Sequence, residues 1–209
     1  MAKESFLDRP WSQVRRKDRR LDDETWQQDF LHTAPYGHLA IAWQDEPTIH
    51  TNLFWYDNDA IYLHQARVGK LRAILDQGSA PACFTVAEIG RILPNYTPLE
   101  FSVEYASVLV YGQIDVVAGL DNQRYALEGL MEKYSPQLTA GEDYDPMPDG
   151  DIRQTSVHKI TIEQIVAKAN IKPDDYIPEK IPPYDLPGES FIERARAQGV
   201  LSIGEKELS

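Results

Sequence analysis

Three basic side chains, Arg67, Lys70 and Arg72, cluster in the segment YLHQARVGKLRAIL, residues 62 to 75. This segment contains no acidic residue, although the whole chain has a formal net charge of -12. A phosphate or carboxylate group suits such a cluster, because cationic side chains bind anions through charge-assisted hydrogen bonds. The local sequence also allows a plainer interpretation, in which these residues form the solvated basic end of a helix.

Two further residues of the same segment are suited to chemistry at a ligand. Gly69 stands immediately before Lys70, where a strand, a short loop and a helix are predicted to follow one another. Backbone N–H groups at a helix start face outward and favour an anion. The pair Gly69-Lys70 is not a Walker loop, because the upstream glycine and the following Ser or Thr are absent. His64, with an ordinary pKa of about 6.5, suits proton transfer, and on the sequence alone it equally suits a half-exposed surface position.

The elements that must position these residues are predicted mainly as strands. Alternating apolar residues predict three strands joined as a meander, at HLAIAWQ, TIHTNLFWY and AIYLH. A short helix over residues 68–76 is followed by the strand PACFTVAEI and by a long strand that bends near Gly112. TSVHKITI is predicted as the last strand, before a short helical or irregular piece. Short strands with few helices between them favour an antiparallel barrel over a doubly wound sheet.

The composition predicts one globular domain with appendages. The chain has 209 residues, of which 42% are hydrophobic. We predict a basic N-terminal arm at residues 1–20, a central domain at 21–170 and a proline-rich extension at 171–209. The net acidic body argues against a nucleic-acid partner, which requires broad phosphate neutralisation. Without a long apolar run or the apolar core of a signal peptide, we expect a cytoplasmic protein with no membrane partner.

Several chemistries are disfavoured by missing motifs. Cys83 is the single cysteine, which excludes an intramolecular disulfide and a cysteine-cluster zinc site. The histidines lack metal-binding spacings, so we predict no metal site. A Gly-x-Ser-x-Gly nucleophile elbow and a Gly-x-Gly-x-x-Gly dinucleotide fingerprint are both absent from the sequence. Any NAD(P)H is therefore expected to dock only transiently.

Three blocks of the chain, in order, resemble a known family: GHLAIAWQDEPTIHTNLFWYDNDAIYLHQARVGKL, CFTVAEIG and LPNYTPLEFSVEYASVLVYGQIDVV. They resemble the FMN-binding split-barrel superfamily related to pyridoxamine 5′-phosphate oxidase. Within it, the chain looks most like the nitroimidazole-resistance (Nim) proteins, which are 5-nitroimidazole reductases. The resemblance covers roughly residues 15–168. It implies an all-β fold with flanking helices, a six-stranded antiparallel split barrel that binds FMN and acts as a homodimer.

The resemblance also implies which residues contact the flavin. In relatives, the strand matching HTNLF runs beside the flavin through its backbone, the following strand end approaches the ribityl phosphate, and serines of the paired subunit reach the cofactor. The implied cofactor residues are His50, Thr51, Asn52, Leu53, Phe54, His64, Gln65, Ala66, Lys70, Ser102 and Ser107. His64 matches the functional histidine of the Nim group and is the predicted catalytic residue. Ala106 replaces an arginine that many relatives have beside the cofactor.

The resulting prediction is an FMN-dependent oxidoreductase that reduces a small substrate, such as a 5-nitroimidazole. One alternative is a flavin or haem carrier without turnover, since split-barrel relatives include haem-binding members and the chain has five histidines. Oxidation of pyridoxamine phosphate ranks lower, because the chain lacks an evident second set of basic residues for the substrate phosphate.

Overall fold

The computed structural model describes residues 13–176 and 181–185, most of them in strands. A 3-10 helix at Lys17–Arg19 precedes four α-helices: α1 Glu24–Thr33, α2 Lys70–Leu75, α3 Leu120–Tyr134 and α4 Asp149–Ile152. The strands are β1 Gly37–Trp43, β2 Glu46–Asn52, β3 Trp55–Tyr56, β4 Ala60–Ala66, β5 Ala80–Leu93, β6 Ser102–Val116 and β7 Thr155–Asn170. Within these residues, no helix has the length and apolar character needed to cross a membrane.

All seven strands form one sheet in the order β2-β1-β5-β6-β7-β4-β3. The two edge strands, β2 and β3, are separated in the chain by only Leu53 and Phe54. The sheet must therefore curl until its edges approach each other, because the three residue steps from Asn52 to Trp55 span at most about 11 Å. The predicted antiparallel split barrel with flanking helices is confirmed.

The strand count is seven rather than the predicted six. The segment TIHTNLFWY, predicted as a single strand, breaks after Asn52 and resumes at Trp55 as a separate strand. Phe54 lies at the break with its side chain fully buried. The Tyr134 hydroxyl accepts a hydrogen bond from the Phe54 N–H and donates one to the Phe54 carbonyl, each at 3.0 Å. These contacts replace the ladder partners that a continuous strand would have.

The last strand is longer than predicted. β7 runs from Thr155 to Asn170, whereas the sequence predicted a strand ending at residue 162 and then a helical or irregular piece. This expectation is wrong because β7 pairs with β6 along nearly its whole length and with β4 over its first half. The β6–β7 register shifts between Tyr111 and Gly112, where the bend was predicted. A side chain at Gly112 would lie 2.0 Å from the carbonyl oxygen of Thr161, so the close approach requires glycine.

The apolar side chains form two clusters, one on each side of β4 and β7. The larger cluster joins α1 and α2 to the sheet and includes Leu31, Leu63 and Leu71. The second packs α3 onto the opposite side through Tyr62, Leu127 and related residues. Successive β4 residues therefore face different surroundings, as strand geometry requires.

The described residues divide into two compact units. The first contains residues 13–88 and 105–171, and the second contains residues 89–104 together with the described residues from 172 onward. In the second unit, Arg91 forms a bidentate ion pair with Glu104, at 2.8 and 2.9 Å. The Lys172 N–H donates to the same carboxylate at 2.9 Å. This carboxylate anchors the start of the C-terminal extension.

Candidate functional site

Four of the predicted cofactor residues meet where β2 ends and β4 leads into α2. We call this group, which consists of His50, Asn52, Gln65 and Lys70, the β2–β4 corner. The Gln65 amide Nε2 donates to Asn52 Oδ1 at 3.3 Å, joining the two strands side chain to side chain. The Gln65 carbonyl accepts from the Thr155 hydroxyl at 2.9 Å. The curled sheet thus places residues from separate strands at one polar edge.

The electrostatics of the corner are set by Lys70. Burial, followed by the nearby positive charge of Lys70, lowers the pKa of His50 below its ordinary value. A neutral His50 accepts as well as donates hydrogen bonds, and its Nε2 lies 3.4 Å from the Thr48 hydroxyl. The Lys70 side chain itself is exposed. The corner therefore offers one accessible positive charge beside neutral polar groups.

Gly69, which precedes α2, leaves open space beside its backbone. A Cβ built at this residue would meet no atom within 4 Å. Its φ of 177° is extended backbone that any residue can adopt. Neither the conformation nor the packing of the protein requires glycine here. A ligand that approaches the backbone closely is a physical reason for one.

His64 lies away from this corner. Side chains alternate along β4, so His64 shares its face with Tyr62 and faces away from Gln65. The residue is exposed, yet desolvation of the ring lowers the pKa of His64 below its ordinary value. Ala66 is exposed on the same side of the strand as His64. The role predicted for His64 stays a prediction.

The remaining predicted residues differ in accessibility. Thr51 and Leu53 are exposed, and the Thr51 hydroxyl lies 2.9 Å from the His38 Nδ1. Phe54 is enclosed in the core, where Lys133 Nζ lies 3.6 Å from the centre of its ring. The Ser107 hydroxyl is buried and has no hydrogen-bond partner among the described residues. Ser102 is exposed and belongs to the second compact unit.

Three residues near the corner were not predicted as site residues. His158 is fully buried, and neither ring nitrogen has a hydrogen-bond partner in the described part of the chain. Burial lowers its pKa to about 4, with smaller effects from the charges of Arg72 and His50. Arg72 reaches the Ser156 hydroxyl at 3.4 Å. Ser156 and His158 share a face of β7, and the alternation in TSVHKITI was the available signal.

The described residues contain no group of three or more His, Cys, Asp or Glu side chains placed to hold a metal ion. One exposed cation beside neutral polar groups is suited to an anion rather than to a metal ion. The antiparallel split barrel gives the class of protein. The chain belongs to the pyridoxamine 5′-phosphate oxidase family, whose model matches residues 22–169.

Solved structures with this fold include proteins named for flavin and haem. The chain is similar to the flavocytochrome Anf3 of Azotobacter vinelandii, with a TM-score of 0.70, 19% identity and coverage of 84% of this chain and 83% of the other. It is also similar to an FAD- and haem-binding protein of Mycobacterium smegmatis, with a TM-score of 0.64, 21% identity and coverage of 76% of this chain and 77% of the other. A third similar structure is that of a proposed 5-nitroimidazole antibiotic resistance protein of Bacteroides thetaiotaomicron. Its TM-score is 0.60 and its identity 20%, and the match covers 72% of this chain and 86% of the other. No curated protein sequence matches the chain significantly.

Proposed function

We propose that this protein is a flavin-dependent oxidoreductase that binds FMN at the β2–β4 corner and reduces a small substrate, such as a nitroaromatic of the 5-nitroimidazole class. The observation that carries the proposal is the open backbone at Gly69 beside the exposed charge of Lys70. A phosphate group fits this arrangement, because it needs a cation and close access to backbone donors. Family membership and the flavin-binding structural relatives support the same function.

The chain's own residues would bind and orient the cofactor. Lys70 and the backbone near Gly69 would hold the phosphate, and Asn52 and Gln65 would present amide groups to the ribityl region. The exposed edge residues Thr51 and Leu53 are accessible to the ring system. When bound, the flavin supplies the two-electron redox chemistry, with a transiently docked NAD(P)H as the proposed electron donor.

His64 is the proposed catalytic residue, on the condition that the substrate reaches the face of β4 opposite to Gln65, and two roles are then open to it. Its lowered pKa means that the ring is mostly neutral at pH 7, which suits hydrogen bonding that orients the substrate. If His64 is instead a proton donor to the reduced substrate, only the protonated fraction of its ring is active. Turnover would then decrease as the pH rises through a value below about 6.5. An orienting role predicts no such decrease, so the pH profile of turnover separates the two.

The proposal includes a homodimer in which serines of the paired subunit approach the cofactor. Ser102 is exposed and accessible for this contact, whereas the Ser107 hydroxyl is enclosed within its own chain. Ser102 is therefore the better candidate for a contribution across the interface. Light scattering of the purified protein, with and without FMN, measures whether the dimer forms and whether it depends on the cofactor.

A visible spectrum followed by site variants tests the function. We expect oxidised-flavin bands, in the purified protein or after FMN is added, bleaching with NAD(P)H and amine formation from a 5-nitroimidazole. Lys70→Gln should weaken FMN binding about tenfold, the typical effect of losing a charge-assisted hydrogen bond. Lys17→Gln, which removes an exposed lysine from the 3-10 helix, is the matched control. His64→Ala should reduce turnover while retaining flavin, with the exposed His32→Ala as its control. A protein that binds no flavin would overturn the proposal.

A second candidate function is flavin or haem carriage without turnover. Two of the structural relatives are a flavocytochrome and an FAD- and haem-binding protein, which supports this candidate. The fully buried His158 gives a haem no access to its ring nitrogens in this conformation, whereas His32 and His64 are exposed. A Soret band in the purified protein, or flavin bands without turnover of any nitroaromatic, would favour the carrier.

A further inference from the structure

A cavity of about 460 Å³ lies between α3 and the sheet, within the first compact unit. Its lining includes two tyrosines, Tyr62 and Tyr125, and two residues of opposite charge, Asp115 and Lys159. We call it the tyrosine cavity. Side chains alternate along β4, so Tyr62 faces away from Gln65. The tyrosine cavity is therefore on the opposite face of β4 from the β2–β4 corner.

The two charged residues stand side by side on neighbouring strands. Lys159 on β7 is the register partner of both Asp115 on β6 and Tyr62 on β4. Residues directly opposite each other on neighbouring strands present their side chains to the same face of the sheet. Among the residues that the structure describes, neither Lys159 nor Asp115 forms an ion pair or a side-chain hydrogen bond. The cavity thus offers a ligand one ammonium group and one carboxylate, close together.

The aromatic wall of the cavity is held in a fixed arrangement. The Tyr62 and Tyr125 rings meet edge to face at 6.0 Å, and the Trp55 ring packs against both, at 5.4 and 4.9 Å between ring centres. The Tyr125 hydroxyl donates to Asp57 at 3.3 Å, while about half of the Tyr125 side chain stays exposed. Lys159 Nζ lies 5.6 Å from the centre of the Tyr62 ring. The ammonium group is therefore beside the tyrosines, and a ligand bound to it contacts them as well.

We propose that the tyrosine cavity binds a free aromatic α-amino acid. Lys159 would bind its carboxylate and Asp115 its ammonium group, and the ring would pack against Tyr62 and Tyr125. An α-amino acid carries both charges on one carbon, which matches two charged side chains that face each other across a strand pair. A simple anion would meet the carboxylate of Asp115, and a simple cation would meet the ammonium of Lys159, so a zwitterion fits better than either.

The size of the site agrees with such a ligand. The volume of the cavity lies in the range of small-molecule sites. Val116 and Val117 add apolar surface to the lining. This proposal does not rest on flavin binding at the β2–β4 corner.

Calorimetric titration of the full chain with L-phenylalanine tests the proposal, and we expect saturable binding. Three probes each lack one feature of this ligand. N-acetyl-L-phenylalanine lacks the ammonium group, 2-phenylethylamine lacks the carboxylate, and L-alanine lacks the ring. Each should bind at least about tenfold more weakly, the typical effect of losing a charge-assisted hydrogen bond or a buried aromatic contact.

Two charge variants should respond to different probes. Lys159→Met should weaken phenylalanine binding about tenfold without weakening that of 2-phenylethylamine, which has no carboxylate to lose a partner. Asp115→Asn should weaken phenylalanine binding similarly without weakening that of N-acetyl-L-phenylalanine. Lys168→Met, an exposed lysine on the same strand as Lys159, and Asp45→Asn, an exposed acid in the β1–β2 turn, are the matched controls. Each control should change binding by less than about twofold.

The outcomes also separate this cavity from the proposed flavin site. Phenylalanine should bind with the same affinity whether or not FMN is present, and Lys70→Gln should bind it as the parent does even if that variant loses flavin. Competition between FMN and phenylalanine would assign the amino acid to the corner and overturn the proposal. Absence of saturable phenylalanine binding by the folded parent would also overturn it, as would equal affinity for phenylalanine and any of the three probes.

Discussion

The Tyr134 hydroxyl hydrogen-bonds the backbone at the junction between β2 and β3. Its removal should measurably lower the free energy of unfolding. It accepts from the N–H and donates to the C=O of Phe54, both at 3.0 Å. Phe54 is fully buried and follows directly on the exposed Leu53 of the predicted flavin strand. The substitution Tyr134→Phe removes both hydrogen bonds and retains the aromatic ring.

The magnitude follows from the two backbone groups left without a partner. A buried polar group that loses its hydrogen bond costs about 1–3 kcal/mol. Two such groups would cost about 2–6 kcal/mol, and relaxation of the Leu53–Phe54 link toward water reduces this to about 2–4 kcal/mol. Because the link is also the end of the predicted flavin strand, FMN should be retained less well by Tyr134→Phe.

Urea unfolding of the parent and of Tyr134→Phe measures the effect. Tyr125→Phe is the matched control, because it makes the same substitution on the same helix. The Tyr125 hydroxyl lies 3.3 Å from Asp57 at an exposed position, so its loss should cost less than about 0.5 kcal/mol. Equal free energies of unfolding for the two variants would refute the idea that Tyr134 substitutes for a missing strand partner.

Three other perturbations test separate parts of the structure. Gly69→Ala should leave stability unchanged or raise it by up to about 1 kcal/mol, while lowering FMN affinity; unaltered affinity in a flavin titration would show that no ligand approaches this backbone. The Arg91 side chain holds the pKa of Glu104 at about 2, against 4.5 ordinarily, so its stabilisation is complete above pH 4.5 and is lost as the pH falls towards 2. The stability difference between the parent and Glu104→Gln should shrink over that interval, and a constant difference would contradict the ion-pair account. His158, with a pKa of about 4 rather than 6.5, makes the unfolded chain bind more protons between these values, so stability should decrease as the pH falls from 6.5 to 4. The His158→Leu variant should lose this part of the acid sensitivity. If its stability depends on pH as the parent's does, His158 is not the cause of the decrease.

The sequence predicted those parts of the fold that depend on local alternation. β1, β4 and α2 follow from apolar periodicity and turn residues near them in the chain. The break at Phe54 could not be predicted, because it depends on Tyr134, which is 80 residues away. The full length of β7 could likewise not be predicted, because its second half becomes a strand only by pairing with β6.

The residues of the candidate site were likewise predicted only where they lie close together in the chain. His50, Asn52, Gln65 and Lys70 lie within 21 residues of one another, and the motif that contains them identified the β2–β4 corner. Ser156 and His158 were missed as neighbours of this corner, because β7 lies beside β4 only through the pairings of Gln65 with Ser156 and of Leu63 with His158. Such long-range register leaves no signal in a local segment.

The cationic cluster in residues 62–75 serves two surfaces rather than one. Lys70 and Arg72 are two positions apart in a helix, which places them about 200° apart around its axis. Lys70 therefore influences His50 at the β2–β4 corner, while Arg72 reaches the Ser156 hydroxyl on β7. The charges that look like one cluster in the sequence are thus divided in the structure. Lys70→Gln should consequently weaken FMN binding more than Arg72→Gln does.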